Sequence, residues 1–287
     1  MQAAVGGEFT RNAGGMGREL NVDEARALLR TRGELLDCDV TARSLSASAG
    51  QWRRVQRGVY VPRDAVADLW PQADLRLRAV AAAARMRGGN AVVSHVSAAV
   101  LHGLAIPVAA GRPVEVTVAG DVRMSSRPGL KRHLDGLTSD DVVDVDGIRC
   151  TSVERTVFDV ARTASLEAAL SCADAAARRM AVDGRAFHPD AQEMWRERLQ
   201  ARARAASRRR GITRARWILE FFDGRAELPG ESISRLQLFR LGFRNVDLQV
   251  PVDGPSGESW EVDIALTDAK TFWEFDGESK YLDAALR

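Results

Sequence analysis

Lysine is nearly missing from this chain. Of the 41 basic residues among 287, only Lys131, Lys270 and Lys280 are lysines, so arginine carries the positive charge. Cysteine is scarce too. Cys38, Cys150 and Cys172 stand far apart and in no metal-ligand spacing. That argues against a disulfide framework or a thiolate zinc site, and the three read as buried, reduced thiols of a cytoplasmic protein. No run of ~18 apolar residues occurs, so no membrane-spanning helix and no membrane partner are expected. Residues 1–17 lack the apolar centre of a secretory signal and read as a disordered lead-in, with Met16 as an alternative start. What remains is ordinary for a globular chain: 45% hydrophobic and 28% charged residues, and length enough for two or three domains.

The net charge of +2 conceals an uneven distribution. Residues 193–225 hold ten arginines against Glu193, Glu197, Glu220 and Asp223, a local net charge of +6, and the chain beyond is acidic. Arg208, Arg209 and Arg210 form its densest run. A solvated helix face would account for such a stretch. A cationic surface beside a site that handles duplex DNA accounts for it equally well.

Near the N-terminus, Asn21-Val-Asp-Glu24 forms a capping box for a helix through Ala25, Leu28 and Leu29 that stops near Gly33. Residues 41–49 predict a second short helix ended by Gly50. Trp52 and Val55 then lie among basic residues, Arg57-Gly58 can turn, and Val59-Tyr60-Val61 is β-prone. Two helices and a basic hairpin outline a winged helix-turn-helix. Arg43, Arg53, Arg54 and Arg57 crowd the short helix and the wing, where they would meet DNA phosphates first and bases second. A small α+β domain without a ligand is the plainer alternative.

Residues 73–87 have helical apolar spacing, Ser94 can cap a helix running to His102-Gly103, and Val114-Glu-Val-Thr-Val118 alternates as a strand. Thr151-Ser-Val-Glu154 reads as a capping box before a helix through Val157, Val160 and Ala161, and a further Ala-rich helix covers 166–180. His95, His102 and His133 are remote from carboxylates in sequence and read as structural histidines rather than metal ligands.

The C-terminal segment holds the strongest chemical pattern. Pro229 and Gly230 open a helix with Glu231 in its first turn, and Gly242 closes it. Residues 245–252, 260–266 and 271–276 are strand-like. If 267–270 is the loop between the last two, Leu266 lies opposite Thr271, Asp263 opposite Glu274 and Glu261 opposite Asp276. Alternation then gathers these four carboxylates on one face and turns Val262, Ile264, Leu266, Trp273 and Phe275 toward a core. Four such charges call for a cation, and oxygen donors suit Mg²⁺ or Mn²⁺. Lys280 follows close enough to reach the same rim. An acidic hairpin facing water is the plainer alternative.

Pro229-Gly-Glu231, Val262-Asp263 and Glu274-Phe-Asp-Gly-Glu-Ser-Lys-Tyr281 resemble the Vsr-like branch of the PD-(D/E)XK nuclease superfamily. Upstream, Arg57-Gly-Val-Tyr60, Ser94-His-Val-Ser-Ala-Ala99 with Leu101-His-Gly-Leu104, and Thr151-Ser-Val-Glu-Arg-Thr156 with Asp159 are similar to an AbiEi-type antitoxin region. The resemblance spans roughly residues 20 to 287. It implies metal-site carboxylates at Glu231, Asp263 and Glu274, with Asp276 where the superfamily has its lysine and Lys280 as a shifted replacement. It also implies an incomplete core, because the superfamily continues with another helix and strand and this chain stops at Arg287.

The expectation is therefore a multidomain α+β or α/β protein. It comprises a lead-in (1–18), a winged helix-turn-helix (19–65), a middle α/β domain (66–185), an Arg-rich helical linker (186–225) and a restriction-endonuclease-like core (226–287). The expected function is a double-stranded-DNA-binding protein with a Mg²⁺- or Mn²⁺-dependent endonuclease domain, in a defence or toxin–antitoxin setting with a cognate toxin as a further partner. The alternative is a non-catalytic transcriptional autoregulator that keeps the nuclease fold as scaffold.

Overall fold

A computed structural model describes residues 17–47, 50–86, 91–120, 126–255 and 257–275. Asn21 and Glu24 cap α1 (Val22–Leu28) reciprocally, as the sequence predicts. The chain then departs from the expected single helix to Gly33. Leu29 is extended, β1 (Arg30–Thr31) intervenes, and Thr31 with Glu34 forms a second capping box that starts α2 (Arg32–Asp37). Thr41 caps the short α3 (Ala42–Ser46). β2 (Trp52–Gln56) and β3 (Val59–Pro62) form a hairpin whose turn needs Gly58 at φ 74°. β1 pairs on the far side of β3, giving an antiparallel sheet of order β1-β3-β2.

Next come α4 (Pro71–Ala83), β4 (Ala91–Val93), α5 (His95–Leu101), β5 (Val114–Val118), β6 (Leu130–Leu134), β7 (Val142–Val145), β8 (Ile148–Thr151), α6 (Val153–Thr163) and α7 (Leu166–Ala181). The five strands form a mixed sheet of order β6-β5-β4-β8-β7, parallel at β5–β6 and β4–β8. Every residue of β5 is buried, as expected of a strand enclosed on both faces. Ser152, not Thr151, caps α6, because Thr151 is the last residue of β8.

A small hairpin of β9 (Val182–Asp183) and β10 (Ala186–Phe187) leads to α8 (Pro189–Ala205) and α9 (Ile212–Phe221). Residues 186–225 were expected to link two domains. They instead bury Trp195, Leu199, Ile218 and Phe222 in the main core, which also takes Leu20, Val22 and Val61 from the N-terminal unit. Arg196 caps the end of α9, donating to the carbonyls of Leu219, Glu220 and Phe222 at 2.8, 2.7 and 3.1 Å.

α10 (Pro229–Arg240) precedes an antiparallel sheet of β11 (Val246–Asp253), β12 (Ser259–Leu266) and β13 (Thr271–Trp273). α10 faces two ways: Leu236 joins the main core, while Leu238 packs with Leu248, Ile264 and Leu266 in a second, smaller one. The Arg235 Nη2 holds α10 to α7 through both oxygens of the buried Asp174, at 3.1 and 3.0 Å. The whole is a mixed α and β protein built from several sheets and helical layers. Among the described residues, no helix is long and apolar enough to cross a membrane.

Candidate functional site

α10, β11 and β12 bring two carboxylates together. Glu231 is buried in the first turn of α10, and its Oε2 accepts the Glu227 N–H at 2.9 Å and the Gln249 Nε2 at 3.1 Å. Burial pushes the Glu231 carboxyl up to about 7, and the neighbouring charges of Asp263 and Glu227 push the same way. Asp263 accepts the Phe275 N–H on Oδ2 at 2.8 Å. The Phe275 ring in turn lies against Gly230, where a Cβ would run into it. Gly230, Glu231, Asp263 and Phe275 are thus one local structure, although they are spread over 46 positions of the chain, counted inclusively from 230 to 275.

The hairpin has the predicted register: Leu266 pairs with Thr271, Ala265 with Phe272 and Ile264 with Trp273. The ladder ends there. Glu274 follows β13, is exposed, and is not paired with Asp263, whose carboxylate bonds the next N–H instead. Glu261 is exposed on β12. Ile264 and Leu266 face the small core as expected, but Trp273 and Phe275 do not, at 47% and 37% exposed. β13 is the outer strand of its sheet among the described residues, and α10 packs over β12 rather than over it. Asp276 and Lys280 lie outside the described residues. Among the described ones, no three carboxylate, imidazole or thiolate groups converge as a metal cage.

Sequence reasoning missed Gln249. It stands between Leu248 and Val250, which pair with Ile264 and Val262, and so lies across from Asp263. Its φ of 49° is a costly backbone state for a residue with a side chain. Strand alternation, which puts it on the face opposite the buried Leu248, was the available signal.

The two oriented carboxylates form an oxygen donor pair, and the Gln249 amide turns its nitrogen toward Glu231. Mg²⁺ is commonly held by one or two carboxylates while it keeps several waters, so this pair fits such an ion. Glu231 Oε1 and Asp263 Oδ1 accept no hydrogen bond among the described residues.

Some of the arginines are ion-paired within the fold, and Arg209 is both exposed and paired. Arg43, Arg54, Arg57, Arg208 and Arg210 are exposed. Arg53 pairs with Asp74 on α4 at 2.7 Å, and Arg209 with the nearly buried Asp135. Of the histidines, His102 bonds the Thr151 carbonyl at 2.7 Å, whereas His95 and His133, remote from carboxylates in sequence, are not so in space. The His95 and His133 rings stack with centroids 3.6 Å apart, and His133 Nε2 lies 3.2 Å from Glu115 Oε1. Burial, with His133 beside it, holds His95 well below the usual imidazole range. Cys150 and Cys172 are buried as expected, whereas Cys38 is exposed.

No family model matches the chain, and no solved structure matches it. Two curated proteins of Mycobacterium tuberculosis are similar to it: uncharacterized protein MT2308 of strain CDC 1551 / Oshkosh and uncharacterized protein Rv2248 of strain ATCC 25618 / H37Rv. Each is 32% identical over 194 residues, covering 66% of this chain and 64% of the relative. The chain therefore spans just under two thirds of the length of the curated relatives it matches.

Proposed function

We propose that the protein binds double-stranded DNA through an N-terminal winged helix and carries a metal-dependent, endonuclease-like C-terminal unit, in the defence or toxin–antitoxin setting that its motifs suggest. The observation that carries the nuclease reading is the convergence of Glu231 and Asp263, each with one oxygen held by hydrogen bonding and the other without a hydrogen bond among the described residues. The element order α1-β1-α2-α3-β2-β3 supports the winged helix, with Arg43, Arg54 and Arg57 exposed on α3 and the hairpin. A divalent ion, when bound, supplies charge neutralisation at a phosphate and a more acidic water. The residues that would hold that ion are Glu231 and Asp263. Glu227 and Gln249 fix one carboxylate and Phe275 the other. Glu274, Asp276 and Lys280 are the further residues assigned to this site.

Incubation of supercoiled plasmid with the protein and Mg²⁺ or Mn²⁺ tests the reading. Nicking or linearisation is expected, and Asp263→Ala should reduce it by about 10²-fold or more, the scale on which loss of one charge-stabilising group acts. Absence of cleavage alongside tight binding to a specific duplex would leave the alternative, a non-catalytic autoregulator that acts with a cognate toxin.

A further inference from the structure

Between the β2–β3 hairpin and the five-stranded-sheet unit lies a cleft of about 600 Å³. Five arginines line it: Arg54 and Arg57 from the hairpin, Arg78 and Arg85 from α4 and the residues after it, and Arg127 before β6. No carboxylate among the described residues lines it. Asp74, at its margin, is already neutralised by Arg53 at 2.7 Å and Arg78 at 2.8 Å. Arg85 Nη1 donates to the Arg57 carbonyl at 2.9 Å and so braces the hairpin tip against the end of α4. The floor is apolar, made by the buried Ala82, Val114 and Leu130 with Val55.

Two polar atoms in its walls are unmatched among the described residues. Arg78 commits Nε to Asp74 and Nη1 to the Arg112 carbonyl at 2.5 Å, while its Nη2 is buried without a hydrogen-bond partner. Gln56 Oε1 is likewise buried and unpaired. Such atoms are uncommon in folded proteins and call for a partner. The cleft thus gathers five guanidinium groups over an apolar floor, with one unpaired donor and one unpaired acceptor buried behind its walls. Guanidinium groups match phosphate oxygens with paired donors. The apolar floor beside them suits the flat face of a heterocyclic base. The volume falls within the roughly 300–1,000 Å³ of small-molecule sites, which favour domain junctions.

We propose that this cleft binds a phosphorylated small molecule of the nucleoside di- or triphosphate class, and that the ligand competes with DNA for Arg54 and Arg57. The binding claim stands on the cleft alone. The competition claim rests on the DNA-binding reading given above.

Calorimetric titration of the full chain with ATP, GTP, pyrophosphate and inorganic phosphate tests it. EDTA is included so that the acidic pair takes no part, and ionic strength is held constant because phosphate contacts are salt-dependent. A nucleotide is expected to bind 1:1 and at least about tenfold more tightly than inorganic phosphate, a difference of ~1.4 kcal/mol. The exposed Arg127→Ala should weaken nucleotide binding about tenfold without unfolding risk, and Arg78→Gln should do so more strongly. In a polarisation assay with labelled duplex, the nucleotide should displace DNA from the wild type. Arg127→Ala should bind DNA normally but require more nucleotide for displacement. No saturable binding of either nucleotide overturns the proposal, as does binding that Arg127→Ala leaves unchanged. Pyrophosphate binding as tightly as either nucleotide overturns the nucleotide class. Nucleotide binding by a protein that binds no duplex removes the DNA reading and leaves the ligand site standing.

Discussion

Arg155→Ala is expected to cost about 3–5 kcal/mol of folding stability, the usual penalty for stranding buried charges. Domains of this kind have only about 5–15 kcal/mol in total, so much of the variant should be unfolded or aggregated at 37 °C. Arg155 is nearly buried near the start of α6. Its Nε donates to Asp159 at 2.8 Å, Nη2 to Asp135 at 2.8 Å, and Nη1 to Asp141 at 3.2 Å and to the Gly136 carbonyl at 2.9 Å. Burial pushes the Asp159 carboxyl up, and the Arg155 charge opposes that shift. Without the guanidinium, three almost inaccessible carboxylates would face one another. Arg202 would still reach Asp141 at 2.8 Å, Arg209 would still reach Asp135, and Arg162 would lie 3.7 Å from Asp159, so the loss stops short of three full charges. Urea unfolding gives the check. Arg155→Lys should fall in between, since an ammonium cannot reproduce the fork. In an Asp159→Asn background the same Arg155→Ala change should cost less, because one of the stranded charges is gone. Equal losses in both backgrounds would refute the network account.

The Arg155 cluster also shows what the sequence could and could not reveal. Thr151-Ser-Val-Glu-Arg-Thr156 with Asp159 was legible as a helix start, and Arg155 and Asp159 are four apart on one face. Asp135 and Asp141, which the same guanidinium holds, belong to the loop after β6 and to the turn before β7. No local pattern carries that information. The basic runs were legible as charge but not as surface. Arg53 turns to Asp74, 21 positions on, and Arg209, though exposed, pairs with Asp135, 74 positions back, while Arg54, Arg208 and Arg210 are exposed without such an ion pair among the described residues. Lys131 was noted only as one of few lysines, yet it joins Arg112 on the buried Glu115, at 3.1 and 3.0 Å.

At the acidic site the register of β12 and β13 could be read because a short turn and period-two alternation leave few choices. The end of the ladder could not. It depends on the Asp263 carboxylate taking the Phe275 N–H, a side-chain bond that competes with strand pairing. Gln249 was invisible for a related reason. Its position follows from alternation, but its donation to Glu231 depends on where α10 crosses β11, and the strained φ of 49° is tertiary in origin.

That arrangement makes Glu231→Gln a stabilising substitution in metal-free protein. The Glu231 carboxyl sits at about 7 in the fold against an ordinary value of 4.5. Below pH ~4.5 the group is protonated in both folded and unfolded chains and carries no penalty. Between pH ~4.5 and about 7 the unfolded chain ionises while the buried acid beside Asp263 stays protonated, so stability falls. Above that the penalty is constant. A shift of this size corresponds to about 3 kcal/mol, at ~1.4 kcal/mol per pH unit. Glutamine keeps an oxygen for the Glu227 N–H and offers an amide donor toward Asp263. His95, depressed by burial, and Glu115, whose carboxyl is held low by His133 and Arg112 against its own burial, act in the opposite sense as pH falls. The comparison is therefore made between variant and wild type at each pH. Urea unfolding in EDTA should give near-equal stabilities at pH 4.5 and an advantage of about 3 kcal/mol for Glu231→Gln at pH 8. Saturating Mg²⁺ should then narrow that gap by stabilising the wild type alone, because binding to the native state adds to its stability. An advantage that is the same at both pH values would refute the buried-acid account. A gap that Mg²⁺ leaves untouched would refute the Glu231–Asp263 pair as a cation site.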